Sequence, residues 1–495
     1  MLAVSFRSAL CRGLLGVLSV VGLSPFAGAA EFDDAARNDV LKRIDERKSE
    51  AVETAEKIWD IAEVGYQETQ SSALLKAKLK QAGFAIKENV GGLPTAFSAE
   101  FGSGKPVIGI LGEYDALPGM RQDRVAFKRP EVAAQPGHAC GHNLFGTASA
   151  LAAITVKEEL ERLKLSGTIQ FYGCPAEEGG SGKVFMVRAG AFDDCDVVLH
   201  WHPSASNRAY NNSSYGNVTG KFRFTGTAAH ASAAPEKGRS ALDGVLLFTH
   251  AVEMLREHIP RNTRMHYIIT EGGDAPNIVP ARAEVYLYLR SDDMRVIDEV
   301  WPRIVKCAEG SAMATETKFA LEYVSSAYTM LPNQALGEML EKQLKRVGGV
   351  TYTDDERAFA ADLRATLTAA GQAVPSLDKA TEIGPLITET AGGSTDVADV
   401  SWTVPTGGIC TATFVPGVPL HSWQATACAG HSTGHKGMLV AAKTLTLGAL
   451  ELLTNPAEVK AARDEFERKK GKETYRSRLP ADFKPNLEYR KTGGM

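Results

Sequence analysis

The chain has 495 residues, of which 44% are hydrophobic and 23% charged, with a formal net charge of −4 at pH 7. This composition is that of an ordinary globular protein, and the charge balance excludes the strongly basic surface that a nucleic-acid partner requires. Because a chain of this length exceeds what one hydrophobic core usually serves, we expect two domains.

The first thirty residues have the pattern of a secretory signal peptide. Arg7 and Arg12 precede the apolar run 13–23, and Ala27 and Ala29 then offer small residues for cleavage. The run is too short to cross roughly 30 Å of hydrocarbon as an anchor. We therefore expect residues 1–30 to be removed and the mature protein to be secreted or periplasmic, without a membrane attachment.

Helical and strand patterns alternate from residue 31 to about residue 210. The helical spacing near the start is followed by the apolar runs in "PVIGILGEYD", "GTIQFYGCPAEEGG" and "DVVLHWHP", which are typical of strands buried on both faces. Alternation of this kind predicts an α/β domain with a mainly parallel central sheet. Residues 31–210 are its predicted first part.

The pattern changes near Asn211 to alternating strands with two amphipathic helices, and this change predicts a smaller α+β domain over residues 211–329. Residues 330–455 resume the first domain. Residues 456–495 form a charge-mixed C-terminal tail, whose charges we interpret as a solvated face.

Several side chains able to bind metal lie where the predicted buried strands end. They are Asp115, Glu177, Glu178, His200 and His202. In open α/β sheets, ligands bind beyond the carboxyl ends of the strands, so we expect these groups to lie close together. The stretch "QPGHACGHN" adds Cys140 and His142, which can converge on one ion if Gly141 permits a tight turn, and His421 follows far downstream.

Thiolate, carboxylate and imidazole groups suit zinc and also accept manganese or cobalt. There are enough of them for two divalent ions that share a water, which is the chemistry of amide hydrolysis. Because successive side chains of an extended segment point to opposite sides, Glu177 and Glu178 are expected to differ in role. One would bind metal while the other transfers protons.

Six motifs occur in order along residues 52–453: "LGEYDALPG", "GHACGHN", "PAEEGGSGK", "GTAAHASAAPEKGRSALDG", "PNIVP" and "STDVADVSW". In this order the chain resembles the clan MH, family 20 metallopeptidases, in the amidohydrolase branch with auxin-amide and hippurate hydrolases. The resemblance implies a di-metal catalytic domain interrupted by a lid that dimerises, and small N-acyl or N-aroyl amino acids as substrates. A homodimer is implied, with a second related subunit left open.

Matched motif by motif, the resemblance assigns metal ligands at Cys140, His142, Glu178 and His421. It makes Glu177 the general base and acid. Asp115 would be a carboxylate that orients a ligand without binding the ion. The remaining ligand stands three residues before a proline in some relatives, as His200 does, and directly before it in others, as His202 does; we favour His202.

The resemblance also implies roles for three lid residues. His230 would reach across the dimer to polarise the scissile carbonyl, and Asn277 and Arg290 would hold substrate oxygens, the guanidinium a carboxylate. A dipeptidase or carboxypeptidase of the same family is an alternative function. A metal-binding protein without catalysis is a third, and Glu177 argues against it because binding alone needs no proton shuttle.

Overall fold

The computed structural model describes residues 32–490. The predicted signal peptide, residues 1–30, lies outside them and stays a prediction. The first part of the chain forms α1 (Asp34–Glu46), α2 (Lys48–Ile61), α3 (Thr69–Gln81), β1 (Ala85–Glu88), β2 (Phe97–Ser103), β3 (Val107–Glu113), α4 (His142–Leu163), β4 (Gly167–Cys174), α5 (Gly182–Arg188), β5 (Val197–Ser204) and β6 (Arg208–Ala209).

The next elements form a separate module with its own sheet. They are β7 (Gly216–Thr225), α6 (Ala241–Leu255), β8 (Arg264–Glu271), β9 (Arg282–Ser291), α7 (Met294–Ala314) and β10 (Lys318–Ala327). The strands pair antiparallel in the order β10-β7-β9-β8, and both helices pack on the sheet around Phe222, Phe248 and Trp301. This module, the lid, lies within the predicted range 211–329.

The chain then returns to the first sheet. Its remaining elements are α8 (Gln334–Val347), α9 (Asp354–Ala369), α10 (Val397–Ser401), β11 (Thr406–Ala412), α11 (Trp423–Gly430), α12 (Ser432–Thr454) and α13 (Pro456–Lys470). After α13 the tail runs without a helix or strand as far as residue 490.

The large sheet has a parallel centre. Strands β4, β3, β5 and β11 lie side by side and parallel, while β1, β2 and the short β6 pair antiparallel at the edges. The predicted α/β class with a mainly parallel central sheet is confirmed. Because the four central strands run in the same direction, the residues that follow β3, β4 and β5 meet at one edge of the sheet.

Both faces of the sheet are buried. In β3, Ile110 belongs to the core formed with α4 and α12, whereas Leu111 belongs to the core formed with α5 and α10. This is the alternation expected of a strand covered by helices on both sides, and it explains why its sequence is apolar throughout.

Helix α12 is long and apolar enough to cross a membrane by length and composition alone. However, 89% of its most apolar window is buried inside the protein, where it packs against α4 and α8. We therefore assign α12 to the hydrophobic core.

Candidate active site

The "GHACGH" turn places Cys140 and His142 at the start of α4. Gly141 between them has φ +76°, a left-handed conformation that a side chain disfavours, and an added Cβ would lie 2.8 Å from Pro203 Cβ. Glycine is therefore required here both by the backbone conformation and by the close approach of β5. The result is that Cys140 Sγ lies 3.4 Å from His202 Nε2 on that strand.

Five of the side chains predicted to bind metal come together in two groups that share Cys140. One group is Cys140, His142 and His202, and the other is Cys140, Glu178 and His421. Within each group the donor atoms lie within 4.8 Å of one another. Thiolate and imidazole groups so arranged around one sulfur suit two neighbouring divalent ions.

His200 and His202 differ in their surroundings although both lie on β5. The ring of His200 stacks on Tyr210 with centroids 5.7 Å apart and lies over Gly408, outside both groups. Burial lowers the pKa of His200 to about 3 and that of His202 to about 4. His202, in its neutral form, faces Cys140 and so keeps the place in the cluster that the sequence favoured.

Asp115 connects the histidine side of the cluster to the glutamate side. Its Oδ1 lies 2.8 Å from His142 Nδ1, and its Oδ2 accepts a hydrogen bond of 2.9 Å from the Glu178 backbone N–H. If the proton of His142 is assigned to Nδ1, Nε2 is left with a free lone pair toward the cluster. This is the orienting geometry that was predicted for Asp115.

Three buried polar atoms of the cluster make no hydrogen bond within residues 32–490: His142 Nε2, Glu113 Oε2 and Glu178 Oε1. Buried polar atoms rarely stay unpaired in proteins, because desolvation costs about 1 to 3 kcal/mol for each. His142 Nε2 and Glu113 Oε2 are nevertheless only 3.2 Å apart, and Glu178 Oε1 is 3.0 Å from His421 Nε2. Such unpaired donor atoms fit the binding of divalent cations.

The charges around the cluster explain the protonation of its members. Burial raises the pKa of Glu177 well above its usual value, and the neighbouring negative charges of Glu113 and Glu178 raise it further. Burial opposes the charged form of His142, but Cys140, Asp115 and Glu113 outweigh it and raise the His142 pKa. The site is therefore rich in negative charge, as a site for cations must be.

A buried ionic chain next to the cluster was not predicted. Lys183 Nζ lies 2.6 Å from Glu113 Oε1 and 2.6 Å from Asp396 Oδ1, and the three side chains are almost fully buried. Each of them lies in a motif that was recognised, yet nothing in the spacing of these motifs predicted that they meet. The chain fixes the carboxylate of Glu113 beside His142 and Glu177, with which it forms a third group of possible ligands.

The lid residues lie apart from the cluster within the described part of the chain. His230 Nδ1 accepts hydrogen bonds from the backbone of residues 232 and 233, and the carbonyl of Asn277 accepts one from Ala231. Arg290 instead reaches the catalytic domain, where it donates to Ser394 Oγ at 3.4 Å, and its buried Nε makes no hydrogen bond among the described residues. The lid therefore presents Arg290 to the loop that carries Asp396.

Comparison with known proteins agrees with this geometry. Residues 212–314 match the peptidase dimerisation domain of the M20 family. The chain is 39% identical to a p-aminobenzoyl-glutamate hydrolase protein of Escherichia coli (strain K12), covering 87% of this chain and 95% of that protein. It is 30% identical to the Xaa-Arg dipeptidase of Mus musculus, covering 89% and 94%.

Solved structures show the same fold. The Bacillus subtilis YXEP protein, described as a dinuclear metal binding peptidase from the M20 family, matches with a TM-score of 0.55 and 16% identity over 86% of this chain and 100% of that one. The aminobenzoyl-glutamate utilization protein of Klebsiella pneumoniae matches with a TM-score of 0.56 and 17% identity over 81% and 97%. The chain therefore belongs to the M20 family of metallopeptidases and amidohydrolases and is a hydrolase of amide bonds.

Proposed function

We propose that this enzyme hydrolyses the amide bond of N-aroyl or N-acyl amino acids, with compounds like p-aminobenzoyl-glutamate as the first candidates. The observation that carries the proposal is the pair of donor groups sharing Cys140, with Glu177 beside them. Similarity to the p-aminobenzoyl-glutamate hydrolase protein of Escherichia coli supports the choice of substrate.

Two divalent ions, zinc or manganese, would be held by Cys140, His142 and His202 and by Cys140, Glu178 and His421. When bound, such ions supply Lewis-acid activation of the water and of the substrate carbonyl. Glu177 accepts the proton of the attacking water on its carboxylate and returns it to the leaving nitrogen. The shared thiolate favours zinc, whereas the carboxylate also accepts manganese.

The site has a proposed means of recognising a free carboxylate. Arg290 extends from β9 to the catalytic domain with a buried Nε that makes no hydrogen bond within residues 32–490, and a guanidinium binds a carboxylate through two parallel hydrogen bonds. Removal of the charge from the substrate would leave this buried guanidinium unpaired. The α-carboxylate of the released amino acid is the group we assign to Arg290.

We expect benzoyl-glutamate to be cleaved faster than its α-amide. An unpaired buried group costs about 1 to 3 kcal/mol, so kcat/KM should differ by roughly five- to hundredfold. Arg290→Ala should remove most of this preference. The matched control is Arg264→Ala, which changes the exposed arginine paired with Arg290 in the β8–β9 register. Equal kcat/KM values for acid and amide in the wild type would refute carboxylate recognition.

A dipeptidase is the second candidate, because the chain is also similar to the Xaa-Arg dipeptidase of Mus musculus. The two candidates differ only on the acyl side of the cleaved bond. Faster cleavage of dipeptides than of benzoyl-glutamate in the same assay would favour the dipeptidase.

We further propose a homodimer in which His230 acts on the partner's substrate. Strand β8 is the edge of the lid sheet and exposes Ile268 and Ile269, 61% and 44% accessible, which suits pairing with a second copy. His230 is exposed and has its backbone contacts within the lid, so a role in its own subunit's cluster lacks support.

Mixing two inactive variants tests this arrangement. A dimer of one His230→Ala subunit and one Glu177→Ala subunit contains one site with both residues intact only if His230 acts across the interface. Random mixing should then restore about a quarter of the wild-type activity, since half of the dimers are mixed and each has one working site. No recovery in dimers verified as mixed would place His230 in its own subunit's site.

A further inference from the structure

The C-terminal tail, residues 471–490, crosses from the lid to the catalytic domain. Tyr475 donates a hydrogen bond of 2.7 Å to the buried Asp399 of α10. Arg478 then pairs with Asp298 on lid helix α7, with 2.6 Å between its Nη2 and Oδ2. The tail is therefore fixed to both domains before it reaches the metal-binding side chains, and the interpretation of residues 456–495 as a solvated face is wrong for this part.

Further contacts guide the tail along the catalytic domain. Phe483 lies against Phe185 of α5, with ring centroids 6.2 Å apart, and its carbonyl accepts a hydrogen bond of 3.3 Å from Arg188. Gln67 donates a hydrogen bond of 2.7 Å to the carbonyl of Leu487. These anchors fix the direction of the last described residues.

Tyr489 and Arg490 end at the backbone of Glu178. The Tyr489 hydroxyl donates to the Glu178 carbonyl at 3.3 Å, and Arg490 Nη2 donates to the same oxygen. The ring of Tyr489 meets Tyr66 edge-on at 5.6 Å between centroids. The hydroxyl fits here because Gly65 has no side chain: an added Cβ would lie 2.4 Å from it.

The peptide units around Glu178 are thus held from two sides. Asp115 accepts from the Glu178 N–H, while the tail donates to its carbonyl. The turn needs such support because Ala176 and Ser181, on either side of the two glutamates, have φ values of 55° and 54°. For a residue other than glycine such a conformation costs about 1 to 3 kcal/mol, and surrounding contacts must maintain it.

We propose that Tyr489 and Arg490 are positioning residues that hold the Glu178 turn ready for a divalent ion. The inference rests on Glu178 as a metal ligand in the proposed function. Partners that orient a ligand typically contribute tenfold to hundredfold to metal affinity. The tail therefore raises the affinity of the Cys140, Glu178 and His421 group, and it has little effect on the Cys140, His142 and His202 group.

The test compares metal affinity in full-length protein. Tyr489→Phe combined with Arg490→Ala should weaken one of the two bound Zn²⁺ ions by about ten- to hundredfold in competition with a chelator, and leave the other unchanged. The matched control is Arg468→Ala, an exposed arginine on α13. Arg490→Lys retains a donor and should recover part of the affinity. Thermal unfolding of the metal-free protein should be similar in all variants.

Three results would overturn the proposal: unchanged Zn²⁺ affinity, equal weakening of both ions, or the same loss in Arg468→Ala. If the double variant does not fold, Arg490→Ala alone is measured against the same criteria. Glu178→Gln serves as a reference. If it binds Zn²⁺ as the wild type does, the ligand assignment of the proposed function fails, and this is distinguishable from failure of the tail contacts.

Discussion

Glu177→Gln is expected to keep both metal ions and substrate affinity but to lose hydrolysis by at least about a hundredfold to ten-thousandfold, the contribution of general acid–base catalysis. Glutamine has the size and the acceptor oxygen of glutamate but cannot exchange a proton. Glu177 is buried next to the cluster and lies outside both groups that share Cys140. Steady-state rates on benzoyl-glutamate and metal analysis of the same sample measure the two effects.

The neighbouring residue supplies the control. Glu178→Gln makes the same chemical change one residue along the same turn, but it alters a predicted ligand. We expect this variant to lose metal, and to lose activity for that reason. If Glu177→Gln lost the metal while Glu178→Gln retained it, the roles of the two glutamates would be exchanged.

The residues around the cluster could be predicted from the sequence because local rules bring them together. Apolar strands that end in polar groups predict a shared edge of a parallel sheet, and Glu177 and Glu178 follow β4 there. Gly141 allows the left-handed turn that presents Cys140 and His142.

Local rules could not separate His200 from His202. Two residues apart on one strand, they point to the same face of the sheet, so the strand pattern treats them alike. The difference comes from packing: Gly408 and Tyr210 enclose His200, whereas Cys140 lies opposite His202. These neighbours come from other elements, and no spacing within β5 predicts them.

The same reason explains the two features that were missed. Lys183 and Asp396 are 213 residues apart in sequence, and a buried lysine is not suggested by the glycine-rich turn before it. The tail has the mixed charges of a solvated face, but its contact with Gln67 bridges 420 residues. Charge composition describes the tail alone, while its position depends on partners elsewhere in the fold.

Cys140→Ala is expected to weaken both metal sites, because its sulfur belongs to both donor groups. Without it, each site keeps two donors, and two donors bind divalent ions far more weakly than three. Metal analysis after dialysis should show the loss of at least one of the two equivalents. The matched control, Cys428→Ala, removes another buried thiol from α11 and should retain both ions.

Proton release gives a second measurement of the same prediction. Burial raises the pKa of the Cys140 thiol well above its usual value, so at neutral pH the metal-free protein carries this group protonated. A metal ligand must be the thiolate, and loading with Zn²⁺ must therefore displace that proton. Calorimetric titrations in buffers with different ionisation enthalpies should count about one proton more for the wild type and Cys428→Ala than for Cys140→Ala. Full metal occupancy and unchanged proton release in Cys140→Ala would remove this residue from the ligand set, and the two donor groups would then have no common member.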